Sequence, residues 1–271
     1  MWKPHWGMIR DPFLEGNSPY VPLPGSEEAV ARLVHAIEAG HGRAVLSAAA
    51  GMGKTLVLSR AIDQARSPTR RFALASSPID AAALYGHLAR GLGARQRRLD
   101  RATESEAWRT LEQAVRVCLA SGFQVILAVD EIGMPKFSGA DEALRRLGHL
   151  GARERGRVTV LLAVEGSSGQ DAVFWPSDWT LVIGLAPVSC AEAEMYLAAK
   201  LAAAGCTRAI FDPSAVTRLH LHSAGSPRGL DRLASLCLMA AVAIGQETVS
   251  AELVESILSE CRLPTNADCA G

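Results

Sequence analysis

Two short stretches of the chain hold residues that could do chemistry together. The first is Ala48-Ala49-Ala50-Gly51-Met52-Gly53-Lys54-Thr55. Glycines in such a loop let backbone N–H groups close on phosphate oxygens, and a helix starting there adds its positive end. Lys54 would reach the β- and γ-phosphates of a nucleoside triphosphate, and the Thr55 hydroxyl would ligate magnesium. The expected nucleotide contacts run through Ala49, Ala50, Gly51, Met52, Gly53, Lys54, Thr55 and Leu56. One letter departs from the usual pattern: Ala48 stands where the first glycine is expected, while the Gly-Lys-Thr half is intact.

The second stretch is Val125-Ile126-Leu127-Ala128-Val129-Asp130-Glu131. An apolar run ending in two carboxylates puts Asp130 at the carboxyl end of a strand, where it can hold the Mg2+ shell. Glu131 is then placed to polarise a water for attack on a γ-phosphate. An acidic strand end is weak evidence alone. Beside a phosphate loop it becomes specific.

These loops need a scaffold of strands and helices. Ser26 offers an N-cap, Val30, Leu33, Val34 and Ile37 follow at helical spacing, and Gly40 is a stop. Strands are expected at 44–46, 72–75, 124–129, 158–164 and 180–183, with helices at 55–66, 80–92, 104–120 and 141–150 between them. Continuous apolar strands alternating with helices predict an α/β fold, a P-loop NTPase with a mostly parallel five-stranded sheet. Beyond residue 183 only helices are expected, at 190–204, 213–222, 227–244 and 251–261. The domain reading is an N-terminal arm over 1–25, a nucleotide-binding core over 26–187, a small all-α lid over 188–262 and a flexible tail over 263–271.

Bulk properties narrow the class. At 271 residues, 49% apolar and 21% charged, the chain can bury a real core. A formal net charge of zero gives no general pull toward nucleic acid or anionic membrane. Six cysteines lack metal-ligand spacing and suit reduced thiols in a cytoplasmic protein. The opening residues lack the apolar core of a signal peptide, and the apolar run 233–244 is too short to span a bilayer. A soluble protein without membrane insertion is expected.

With both motifs and their flanks in view, the chain resembles the ExeA-type ATPases of bacterial general secretion, within the AAA+ superfamily. The likeness begins at His5-Trp6-Gly7 and Asp11-Pro12-Phe13 and continues through Glu28-Ala29 and Arg32-Leu33. Beyond the two nucleotide motifs it takes in Leu185-Ala186-Pro187-Val188, Tyr196-Leu197, Lys200-Leu201, Ala204-Gly205, Phe211 and Gly225-Ser226-Pro227-Arg228. It implies an AAA+ core with a helical lid, ATP and Mg2+ as cofactors, and Arg228 as the lid's sensor-2 arginine. On that reading Lys54, Thr55, Asp130 and Arg228 contact ATP-Mg where core and lid join, and Glu131, Lys54 and Arg228 are the catalytic set.

The departures shape the expectation. Gly133 stands where the family usually has Gln or His, and Glu165 is the nearest residue to the sensor-1 position. Between 166 and 187 there is no arginine to complete a neighbour's site; Phe174, Trp175, Asp178 and Trp179 occupy the region. Hydrolysis is therefore expected to be slow unless Arg153, Arg155 or Arg157 reaches across an interface. The basic cluster Arg95, Arg97, Arg98 and Arg101 reads as a solvated loop rather than a nucleic-acid contact. Trp2, Trp6 and Phe13 could close over adenine or pack the arm down. His220 and His222, two apart in a helix, do not make a metal site.

Three functions compete. The first is a secretion-type ATPase, a homo-oligomer driving a switch in an unnamed protein partner. Full-length members of that family usually continue into a membrane segment and a cell-wall-binding domain, so a link to envelope assembly rests on the resemblance alone. The second resembles the TniB-like transposition ATPases, with turnover dependent on DNA. The third is an ATP-binding switch with little hydrolysis.

Overall fold

The computed structural model describes residues 2–14, 20–94, 102–132, 139–166 and 180–261. The chain divides into two compact units. One comprises Gly25–Ala50 with Lys54–Leu185, and the other Met1–Pro24, Gly51–Gly53 and Ala186–Gly271.

The first unit is built on five parallel strands, β1 Arg43–Ala48, β2 Arg70–Ser76, β3 Gln124–Ile132, β4 Val158–Glu165 and β5 Thr180–Gly184. Their order across the sheet is β2-β3-β4-β1-β5. Burial follows position: β1 is buried along its whole length and β4 along all but its last residue, while edge strands β2 and β5 are partly exposed. Apolar runs without alternation mark strands covered on both faces. Among the described residues its helices are α1 Pro24–Glu38, α2 Lys54–Gln64, α3 Ala81–Gly91, α4 Glu104–Ala120 and α5 Ala140–Arg153. One core cluster joins Leu84, Tyr85 and Leu88 of α3 with Trp108 and Leu111 of α4, Leu127 of β3 and Leu162 of β4.

Local chemistry sets most element ends. Thr103 and Glu106 exchange side-chain and backbone hydrogen bonds in a capping box that starts α4. Asp80 caps α3 through the Ala83 N–H at 2.6 Å. The first helix departs from expectation, since it begins at Pro24 and Ser26 is already inside it. Proline suits the first helical turn because its φ is pre-set and its missing N–H would have no helical partner there.

The second unit contains α6 Cys190–Ala203, α7 Pro213–Ser223, α8 Pro227–Ala243 and α9 Ala251–Cys261, plus a 3-10 turn at Pro4–Trp6. Ser189 and Glu192 form a second capping box at α6. The arm belongs to this unit. Trp6, Met8, Phe13 and Leu23 are buried with Leu197, Leu219, Leu230 and Leu238 in one cluster. The Trp6 Nε1–H donates to the Leu238 carbonyl at 3.3 Å, and the Ile9 N–H to the Ala204 carbonyl at 2.9 Å. Trp6 and Phe13 thus pack the arm onto the helices of this unit. Among the described residues no helix is long and apolar enough to cross a membrane.

Gly133, the cluster Arg95, Arg97, Arg98 and Arg101, the stretch containing Phe174, Trp175, Asp178 and Trp179, and the 263–271 tail lie outside the described residues.

Candidate functional site

The phosphate loop leaves β1 at Ala48 and enters α2 at Lys54. Gly51 and Gly53 adopt φ of 76° and 86°, conformations that glycine takes at little cost. Ala48 is not among the positive-φ residues, which is why alanine is tolerated there. It is buried as the last residue of β1, and its carbonyl accepts from the Lys54 ammonium at 2.8 Å. The Ala49 carbonyl accepts from the same ammonium at 2.9 Å. Lys54 therefore folds back over the mouth of its own loop. Met52 is buried, whereas Thr55 and Leu56 at the start of α2 are exposed.

Asp130 and Glu131 interrupt β3. The register between β3 and β4 shifts between Val129 and Ile132, and Glu131 has a φ of 54°. The bulge turns the two carboxylates away from the regular pleat, a common device beside active sites. Asp130 is 3% exposed and hydrogen-bonded to the Thr55 side chain, and its Oδ1 accepts the Glu131 N–H at 2.8 Å. Burial raises the Asp130 carboxyl above the usual carboxylate range, with adjacent Glu131 pushing the same way. The hydrogen bonds from Thr55 and Glu131 and the Lys54 charge oppose that rise. A carboxylate beside a hydroxyl, both hard oxygen donors, fits Mg2+.

Ser77, which the sequence reading passed over, completes the arrangement. It follows β2, adjacent to β3, and its N–H donates to the Asp130 carbonyl at 3.1 Å. Its hydroxyl donates to the Glu131 Oε2. Ser77 too has a positive φ, 46°. Within Ser76-Ser77-Pro78 it reads as an ordinary turn residue; the pairing of β2 with β3 is what brings it to the acid pair.

Arg228 is the second residue of α8, exposed, after Ser226 as N-cap and Pro227 at the first helical position. Its backbone N–H donates to the Gly51 carbonyl at 3.2 Å, within the helical unit that includes Gly51–Gly53. Gly225, at φ 68°, leaves no room for a side chain: a Cβ would lie 2.6 Å from the Val188 carbonyl oxygen. Glu165 is exposed at the end of β4, away from any role as a buried polar contact. Arg153 ends α5, and Arg155 and Arg157 lie in the turn before β4; all three are exposed, and Arg153 pairs with Glu112 and Glu154 and Arg157 with Glu154.

Residues 37–167 match the family model of an AAA domain. No curated protein matches the chain in sequence. Among solved structures, the Drosophila ORC bound to DNA is similar at a TM-score of 0.71 and 15% identity, covering 95% of this chain and 66% of that one. The Pyrobaculum aerophilum Cdc6p gives 0.71 and 18% identity, covering 93% of this chain and 71% of its own. The Aeropyrum pernix ORC2 protein, in ADPNP-ADP complexes, gives 0.61 and 17%, covering 93% and 71%. The fold is that of an AAA+ P-loop NTPase.

Proposed function

We propose that the protein binds ATP and hydrolyses it slowly, using the energy of the γ-phosphate to switch its conformation. The contact that supports this most directly is the Thr55 side chain on the buried Asp130 carboxylate. It joins the two motifs that metal-assisted phosphoryl transfer needs side by side. The loop 49–53 with Lys54, Thr55 and Leu56 would cradle the phosphates, and Thr55 with Asp130 would hold Mg2+. When bound, that ion neutralises charge on the β- and γ-phosphate oxygens.

Lys54 exchanges its two carbonyl partners for phosphate oxygens. Glu131 takes a proton from a water as that water attacks the γ-phosphorus, and the γ-phosphoryl group leaves ADP. Arg228 supplies a cation to the γ-phosphate from α8. Losing that phosphate removes its anionic partner and releases the helical unit to move. The nucleotide complexes of the similar Aeropyrum pernix ORC2 protein support ATP as the ligand.

The assembly is read as a homo-oligomer acting on a protein partner, as in the secretion-type ATPases. A DNA-dependent role is the second reading, favoured by the likeness to a Drosophila ORC structure bound to DNA. One experiment separates them: ATP turnover against protein concentration, for wild type and Glu131→Gln, with and without DNA. Turnover that rises with concentration and falls at least about 100-fold in the variant supports the self-assembling ATPase. Stimulation by DNA favours the second reading. ATP binding with equally idle wild type and variant would leave a nucleotide switch without hydrolysis.

A further inference from the structure

The helical unit buries an ion pair that the phosphate chemistry does not use. Lys200 on α6 is 1% exposed, and its Nζ donates to the Asp231 Oδ2 on α8 at 3.0 Å. Tyr196, one turn before Lys200, donates its hydroxyl to the same oxygen at 3.0 Å. The ammonium lies 4.9 Å from the centre of the Tyr196 ring. Asp11 of the arm adds a second negative charge to the neighbourhood of Lys200. Burial pulls the Lys200 ammonium down from its ordinary range, and Asp231 and then Asp11 pull it back.

A buried pair is a poor route to stability in a small helical unit. Desolvation costs several kcal/mol for each ion, and well-packed apolar residues of similar volume often serve as well or better. What the pair supplies is direction. Apolar burial is non-directional and tolerates alternative packings, so it specifies helix register less sharply than a paired charge does. A displaced lysine–aspartate contact leaves two charges buried and unmatched. Asp231 lies three residues after Arg228, one turn along the same side of α8. The turn that carries Arg228 is therefore held to α6 by a contact that tolerates little slippage.

We propose that Lys200, Tyr196 and Asp231 are positioning residues that set the register of α8 and hence the aim of Arg228 at the γ-phosphate. This rests on the reading of Arg228 given above. Removing one partner would strand a charge and unfold the unit, so both are replaced together in Lys200→Met/Asp231→Leu.

The test is the ratio of ATP to ADP affinity, titrated with fluorescent mant-nucleotides on the full chain. It compares wild type, Arg228→Ala, the double variant and the triple combination. Arg228→Ala is expected to lower the ATP preference about tenfold, the loss of one charge-assisted contact. The double variant is expected to keep a cooperative melt yet lose a similar factor, with no further loss when Arg228→Ala is added. An unchanged preference in the double variant, or losses that add in full, overturns the positioning role and leaves Arg228 standing. An unchanged preference in Arg228→Ala overturns both. Should the double variant fail to fold, Tyr196→Phe keeps the ring and removes one hydrogen bond. In the otherwise wild-type chain it should lose about twofold, a loss absent in the Arg228→Ala background; an unaltered preference in Tyr196→Phe alone overturns the proposal.

Discussion

The Ser77 hydroxyl is hydrogen-bonded to the Glu131 carboxylate, and both residues hold left-handed backbones at the ends of neighbouring strands. Each such conformation costs about 1–3 kcal/mol in a non-glycine residue and persists only where its surroundings over-determine it. Here the Ser77 N–H on the Asp130 carbonyl helps to do so. A carboxylate already engaged by a hydroxyl is a base under restraint. Ser77→Ala is expected to raise basal ATP turnover by up to about tenfold, measured as phosphate release. An unchanged or slower rate would show that the hydroxyl does not restrain Glu131.

Asp130 should trade stability for function. Its folded pKa is raised by burial, so between the unfolded and folded values the native state binds more protons than the unfolded chain. Stability from this group is then present at acid pH and lost as pH rises through that window. Asp130→Asn should accordingly raise the thermal midpoint at pH 7–8 and lose that advantage toward pH 4, while abolishing Mg2+-dependent ATP binding. A midpoint lowered at neutral pH would contradict this sign.

The two loop glycines should differ although both have positive φ. A Cβ on Gly51 would meet the Ser226 Oγ at 2.8 Å and the Arg228 Cβ at 2.9 Å, whereas one on Gly53 would meet nothing within 4 Å. Gly53→Ala should cost about 1 kcal/mol from backbone strain, and Gly51→Ala at least about 1 kcal/mol more from crowding. Denaturant unfolding without nucleotide measures the difference; equal costs would mean that Gly51 does not approach α8 so closely.

Ala224 ends α7 in a left-handed conformation, φ 49°, where helices usually place glycine. Ala224 is exposed, so Ala224→Gly changes little packing. It should stabilise the helical unit by about 0.5–1 kcal/mol, read by denaturant unfolding.

Much of this was legible because the relevant forces are local. The capped helix at 104–120 has the same bounds in structure as in sequence, since its apolar spacing lies within it and its cap, Thr103 with Glu106, lies at its start. Lys54, Thr55, Asp130 and Glu131 are proposed as site residues from short motifs, and the strands and helices expected to flank those motifs are present. What stayed hidden depends on pairing across the chain. Ser77 matters because β2 adjoins β3. Lys200 and Asp231 meet although 31 residues apart, and periodicity records only that each lies on a helix. Trp6 and Phe13 had two open readings because their partners, such as Leu238, lie far down the chain.

That last separation bears on how the protein is made. The core of the helical unit combines Trp6, Met8, Phe13 and Leu23 with residues that begin at Val188, and the whole of the sheet unit is encoded between them. Synthesis at about 5–20 residues per second means the arm leaves the ribosome some tens of seconds or less before its partners exist. Throughout that interval its two buried aromatic side chains, Trp6 and Phe13, have no native surface to cover them. The sheet unit can close in the meantime. Nascent chains should therefore show an order of completion opposite to the order of their first residues, with the earliest segment translated among the last to be packed.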